Sequence, residues 1–281
     1  MPQARRGFGE RLAAAVRRNG SLCVGVDPHP SLLSAWGLND DEAGLERFSL
    51  TVLEAVAGLV PVIKPQVALF ERHGSRGFAV LERLLLTAAD SGLLTIADAK
   101  RGDIGSTMQG YAEAWLRDGS QLAADAVTLS PYLGFESLRP ALTVAAENAR
   151  GVFVLALTSN PEGAAVQHVG GEESVARIIA DAAAAENRDL HTLGSVGLVI
   201  GATVGTAVRR LGLNLESLNG PILAPGLGAQ GAGRAELQQT FGAAAPLVLP
   251  SSSRGILAAG PTVNGLRRAV AETQQELQPA E

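Results

Sequence analysis

Eight short stretches of unbroken apolar sequence punctuate the chain: "LCVGVDP", "VPVIKPQ", "LLTIADAK", "AVTLSPY", "GVFVLALTS", "VGLVIGAT", "PILAPGLG" and "PLVLPSS". Each has the length of a strand and is rich in Val, Ile and Leu. Their continuous apolarity, without polar alternation, is what strands covered on both faces show. Between them the spacing turns helical, as in "GFAVLERLLLTAADSG" and "SLRPALTVAAENARG", so strand and helix alternate along the chain. Alternation also fits an open doubly wound sheet. Eight units in 281 residues match the roughly 250 residues of a closed barrel better. The expected fold is therefore a single α/β domain over residues 1–281, a (β/α)8 TIM barrel. The amphipathic "FGERLAAAVRRNG" ahead of the first run reads as a helix closing the barrel floor, and the C-terminal "TQQELQPAE" as a fraying tail.

Composition narrows the class. With 46% hydrophobic and 18% charged residues the chain can bury a large core. A net charge of −5 without a basic block argues against a nucleic-acid partner. No apolar stretch approaches the ~18 residues of a membrane span, and charges interrupt the apolar positions of the N-terminus, so no secretory signal is expected either. A cytoplasmic protein is the expectation. The single cysteine, Cys23, lies inside "LCVGV" and reads as a core residue. The four histidines are scattered without metal-ligand spacing, so no metal site is expected.

In such barrels the reactive groups come from the C-terminal ends of the strands, where the loops form the open face of a packed core. Polar residues at those ends are Asp27, Lys64, Asp98 with Lys100, "SPY" after the fourth run, Thr158 with Ser159 after the fifth, a Gly/Ala/Thr end to the sixth, and the loops "PGLGAQG" and "PSSSRG". Lysine is rare here: the chain has two lysines against 21 arginines, and both stand at the ends of apolar runs, in "LVPVIK" and "LLTIADAK". A guanidinium stays protonated at any working pH, whereas an ammonium can release a proton, which makes a retained lysine a chemical candidate. Asp98 and Lys100 are two apart on a strand and so face the same side, with Lys64 on the neighbouring strand. Across the barrel, the small residues of "PGLGAQG" and "PSSSRG" expose backbone N–H groups, and Arg254 can hold an anion bidentately. That is where barrels bind phosphate. The expectation from residues alone is an enzyme that grips a phosphate with strands seven and eight and performs chemistry with lysines and aspartates from strands one to three.

These residues resemble the orotidine 5′-phosphate decarboxylase family, in its longer bacterial-type branch, over nearly the whole chain. "ADAKRGDIGST" is similar to the family's D-x-K-x-x-D signature, "VGVDPHP" to its first-strand aspartate and "VIKPQ" to its second-strand lysine. "TSNPEG" resembles its pyrimidine-contacting loop, and "APGLGAQG" with "SSSRG" its phosphate loops. The resemblance implies decarboxylation of orotidine 5′-monophosphate to UMP, the last step of de novo UMP synthesis, without a cofactor. It implies a charge network of Lys64, Asp98, Lys100 and Asp103, with Asp103 reaching into the site of a second subunit in a homodimer. It further implies that Asp27 binds ribose hydroxyls, Thr107 the ribose from the partner subunit, Ser159 the pyrimidine, and Gln230 and Arg254 the phosphate. The eighth loop departs from the Gly-Arg pattern of the shorter branch but keeps its arginine. Metal-dependent relatives share D-x-K-x-x-D, yet carry an acidic residue at the second strand's end, where this chain has Lys64.

Overall fold

A computed structural model of the chain describes residues 5–228 and 233–278. All eight apolar runs are strands: β1 (Cys23–Val26), β2 (Val62–Pro65), β3 (Leu94–Arg101), β4 (Ala126–Leu129), β5 (Gly151–Leu157), β6 (Val196–Ile200), β7 (Ile222–Pro225) and β8 (Val248–Ser252). They pair in parallel in sequence order, and β8 returns to β1 through Cys23 opposite Ser251 and Val24 opposite Ser252, closing the barrel. The helices of eight or more residues are α1 (Phe8–Asn19), α2 (Glu42–Val56), α3 (Gly74–Asp90), α4 (Gly105–Leu116), α5 (Arg139–Glu147), α6 (Val175–Asn187), α7 (Arg234–Phe241) and α8 (Val263–Leu277). Between β6 and β7 the α-helix shrinks to the single turn Ala207–Arg210.

The barrel interior holds its own apolar cluster, in which Cys23, Val62, Ile96, Ala126, Phe153, Val199, Leu223 and Leu249 pack with Phe8 and Leu12 of α1. Helix α1 thus closes the floor. Phe8 is wholly buried and meets Phe153 edge to face with ring centroids 5.9 Å apart, a contact that stabilises by about 0.5–1.5 kcal/mol beyond the area it buries. β5 begins with glycine for this reason: a Cβ on Gly151 would stand 2.3 Å from the Phe8 ring. Arg11 completes the seal, pairing with Asp125 and donating to Ala149 O at 3.0 Å. Cys23 is a core residue as expected, fully buried, and burial pushes its thiol up to about 11.

The C-terminal segment departs from expectation. "TQQEL" forms the last turns of α8, where Gln274 Nε2 donates to Asn19 O and Leu59 O, both at 2.9 Å; the remainder of the expected tail, residues 279–281, lies outside the described residues. The amphipathic period of α8 continues through these polar residues, and two buried leucine and valine anchors, Leu266 and Val270, hold its inner face.

Candidate active site

The C-terminal strand ends enclose a cavity of about 340 Å³, lined among others by Asp27, Lys64, Asp98, Lys100, Ser159 and Arg254. Six expected site residues from five different strand ends therefore meet in one place. Asp98 is at its centre. Its Oδ2 accepts from Lys64 Nζ at 2.9 Å and from Gln66 Nε2 at 3.0 Å. Its Oδ1 accepts from Lys100 Nζ at 2.6 Å and from Thr128 Oγ1 at 2.9 Å. An ionised carboxylate is acceptor-only and has room for about four such donors, so Asp98 is saturated.

Charge settles accordingly. Burial by itself would raise the Asp98 carboxyl, but the ammonium groups of Lys64 and Lys100 outweigh it and hold the group well below the usual carboxylate range. Burial works against the charge on Lys64, which is 4% exposed. Asp98, and beyond it Asp27, win that contest and raise Lys64 above its ordinary value. Both groups are thus fixed as ions across the physiological range, a preorganised charge pattern in a water-poor site.

The strand that carries Asp98 and Lys100 is not regular. β3 pairs with β4 through Ala97 opposite Val127 and Arg101 opposite Leu129, so three β3 residues stand opposite Thr128 alone. Lys100 takes up the extra length with a φ of +47°, a left-handed conformation that side-chain-bearing residues adopt rarely. The two side chains therefore meet through a bulge rather than through plain two-residue periodicity.

On the far side, Arg254 opens the one-turn helix Arg254–Leu257 just after β8. It is exposed to the cavity, and its guanidinium makes no hydrogen bond or ion pair with the described residues. Gly25 in β1 makes room for this corner, since a Cβ there would lie 1.9 Å from Ser253 Oγ. Asp27 follows β1 and lines the same cavity, and its Oδ1 is buried without a partner among the described residues. Such an orphaned acceptor calls for a donor from a bound molecule. Gln230 lies outside the described residues.

Asp103 and Thr107 do not line the cavity of their own chain. Asp103 is half-buried, its Oδ1 accepting from Ile104 N at 2.8 Å, and Thr107 is exposed on the first turn of α4. Several cavity residues were not singled out in the sequence, namely Gln66, His29, Asn160 and Ser253, nor was Thr128, buried behind Asp98. For Gln66 a signal existed, because it stands two residues beyond Lys64, just past the end of β2, where it bridges to Asp98. Thr128 had one as well, as the polar residue of the run "AVTL".

Ionic groups gathered at the carboxyl ends of a closed parallel barrel define a (β/α)8-barrel enzyme. The family model for orotidine 5′-phosphate decarboxylase / HUMPS matches residues 20–269, and the chain belongs to that family. A protein from Salinispora arenicola named orotidine 5′-phosphate decarboxylase is 55% identical over 264 residues, covering 93% of this chain and 94% of that one. One of the same name from Streptomyces coelicolor is 54% identical, covering 97% and 98%. A crystal structure from Streptomyces avermitilis is 53% identical and superposes with a TM-score of 0.93, covering 98% of this chain and 96% of the other.

Proposed function

We infer that this chain removes CO₂ from orotidine 5′-monophosphate to give UMP in pyrimidine biosynthesis. The observation that carries this reading is the Lys64–Asp98–Lys100 cluster, joined by 2.6 and 2.9 Å contacts, in a chain so similar to decarboxylases of that name.

Breaking the C6–carboxyl bond leaves an electron pair at C6 of the pyrimidine with little delocalisation. Fixed positive charge at that atom lowers the barrier by favouring the negative charge as it moves from the carboxylate of the ground state onto C6. Lys100, oriented by Asp98, supplies the charge and then donates an Nζ proton to C6, recovering one from water afterwards. An arginine at this position would hold its proton too tightly to donate it. Asp27 takes the ribose hydroxyls with the oxygen that has no partner among the described residues, Ser159 reads the pyrimidine, and Gln230 and Arg254 hold the phosphate.

The charge network is completed by Asp103, and the ribose contact by Thr107, of a second copy. Ile104, Tyr132 and Leu133, on the loops after β3 and β4, are 61%, 80% and 54% exposed. Large apolar side chains left exposed on the two loops, one of them next to Asp103 in the chain, support a homodimer over a monomer. Metal-assisted chemistry fits this site less well, because a divalent cation near the second strand's end would face the Lys64 ammonium.

The test is turnover of orotidine 5′-monophosphate, followed by the loss of its absorbance, with and without excess EDTA. Turnover unaffected by EDTA is the expected result. No turnover with this substrate would overturn the reading.

A further inference from the structure

We propose that Thr128 is a positioning residue for the proton donor: its hydroxyl holds Lys100 in its left-handed conformation and fixes the Lys100–Asp98 contact. The inference rests on the assignment of Lys100 above and adds to it the device that keeps the lysine in place.

The bulge in β3 leaves a backbone donor to satisfy. Opposite Asp98, Ala99 and Lys100, β4 offers only Thr128. Parallel pairing fails across that interval, and the Lys100 N–H, held part-buried, needs another acceptor. Thr128 Oγ1 supplies it at 2.9 Å. The same hydroxyl donates to Asp98 Oδ1 at 2.9 Å, the oxygen that also receives Lys100 Nζ at 2.6 Å. A hydroxyl has one proton to donate and lone pairs to accept with, and here it does both, toward the backbone of the lysine and the carboxylate of its partner. The result is a closed ring of three contacts: Thr128 to Asp98, Asp98 to the head of Lys100, and the backbone of Lys100 back to Thr128.

Without that ring a φ of +47° at lysine has nothing to hold it. A left-handed residue persists only where its surroundings over-determine it, and such residues gather at functional sites. Thr128 is 0% exposed and sits on the regular part of β4, where Thr128 faces Phe153 of β5. It is therefore a rigid point from which to fix a movable one. No polar ligand needs to touch it, since its reach is through Lys100 and Asp98.

Thr128→Val keeps the shape of the side chain and removes the hydroxyl, while Thr128→Ser keeps the hydroxyl. The expected result is a fall in kcat of about thirtyfold or more for the valine variant with the affinity for UMP within about threefold of wild type, and recovery to within about tenfold by serine. A crystal structure of Thr128→Val should show Lys100 out of the left-handed region or its Nζ–Asp98 contact broken. Equal loss of kcat and UMP affinity, or kcat within about threefold of wild type, would overturn the proposal. If the valine variant does not fold, Thr128→Cys decides in its place. A thiol is a weak donor and acceptor, so kcat should fall by about tenfold or more while UMP still binds, and an unchanged kcat sinks the idea. Failure of the underlying assignment looks different: Lys100→Ala would then retain turnover, whatever Thr128 variants do, and the crystal structure would still report whether Thr128 holds Lys100.

Discussion

Lys64 Nζ lies 2.9 Å from Asp98 Oδ2 with both side chains less than a tenth exposed. Two charges have been taken out of water here, and each is the main compensation for the other. Breaking such a buried pair by removing one partner typically costs about 3–5 kcal/mol. Asp98→Asn should therefore lower stability on that scale, read as a shift of the urea unfolding midpoint, in addition to removing activity. A variant as stable as wild type would show that the pair does not hold this end of the barrel together.

The pH dependence of that stability follows from the two shifts. Asp98 is depressed from 3.8 in the fold, so its contribution is complete above that value and is lost as pH falls through the depressed one. Lys64 is raised above 10.5, so its contribution is complete below that value and is lost as pH rises through the raised one. The stability difference between wild type and Asp98→Asn should thus be full near pH 5 and shrink toward alkaline pH, because burial lowers Lys64 in the variant and lets it shed its proton, whereas in the wild type it stays charged. Unfolding titrations at several pH values check this, and a difference that grows toward alkaline pH would contradict it.

Assembly makes a numerical prediction. If each site takes Lys100 from one subunit and Asp103 from the other, Lys100→Ala and Asp103→Ala variants are each inactive. Mixed and allowed to exchange, half of the dimers are hybrids, and each hybrid regains one intact site. Activity should return to about a quarter of that of wild type per site. Mixtures no more active than their components would place Asp103 in its own chain's site or outside the chemistry.

Gly25 gives a test of the phosphate corner without touching a charged group. A methyl there would collide with Ser253 at 1.9 Å and push the turn that carries Arg254. Gly25→Ala should weaken UMP binding by about tenfold or more, with kcat less affected. Unchanged UMP affinity, measured by calorimetry, would show that this corner moves freely.

The barrel was legible because fully covered strands leave an unmistakable mark: each of the eight apolar runs became a strand, in order, and the two lysines at their ends met at one aspartate. The rest was hidden for physical reasons. Thr128 shows in the sequence as the one polar residue of a four-residue strand, but its role does not, because only the bulge in β3 gives its hydroxyl two partners. The bulge itself depends on tertiary pairing that no local pattern encodes. The last turns of α8 looked like a tail because their contacts, from Gln274 to backbone carbonyls of Asn19 and Leu59, are polar and distant in sequence. Asp103 and Thr107 stand away from the cavity of their own chain, so their place in the chemistry comes from the family resemblance and from the partner subunit it implies.

The central claim is a division of labour, with chemistry at Lys100 and binding at Arg254. It is tested most directly by measuring turnover and UMP affinity for Lys100→Ala and Arg254→Ala side by side. Lys100→Ala should lose nearly all kcat while UMP still binds, because the phosphate grip is intact. Arg254→Ala should lose about 2–4 kcal/mol in kcat/KM through loss of a charge-assisted contact, weaken UMP binding in parallel, and recover in part when free guanidinium is added. If Lys100→Ala loses UMP more severely than Arg254→Ala, or keeps turning over substrate, the account is wrong.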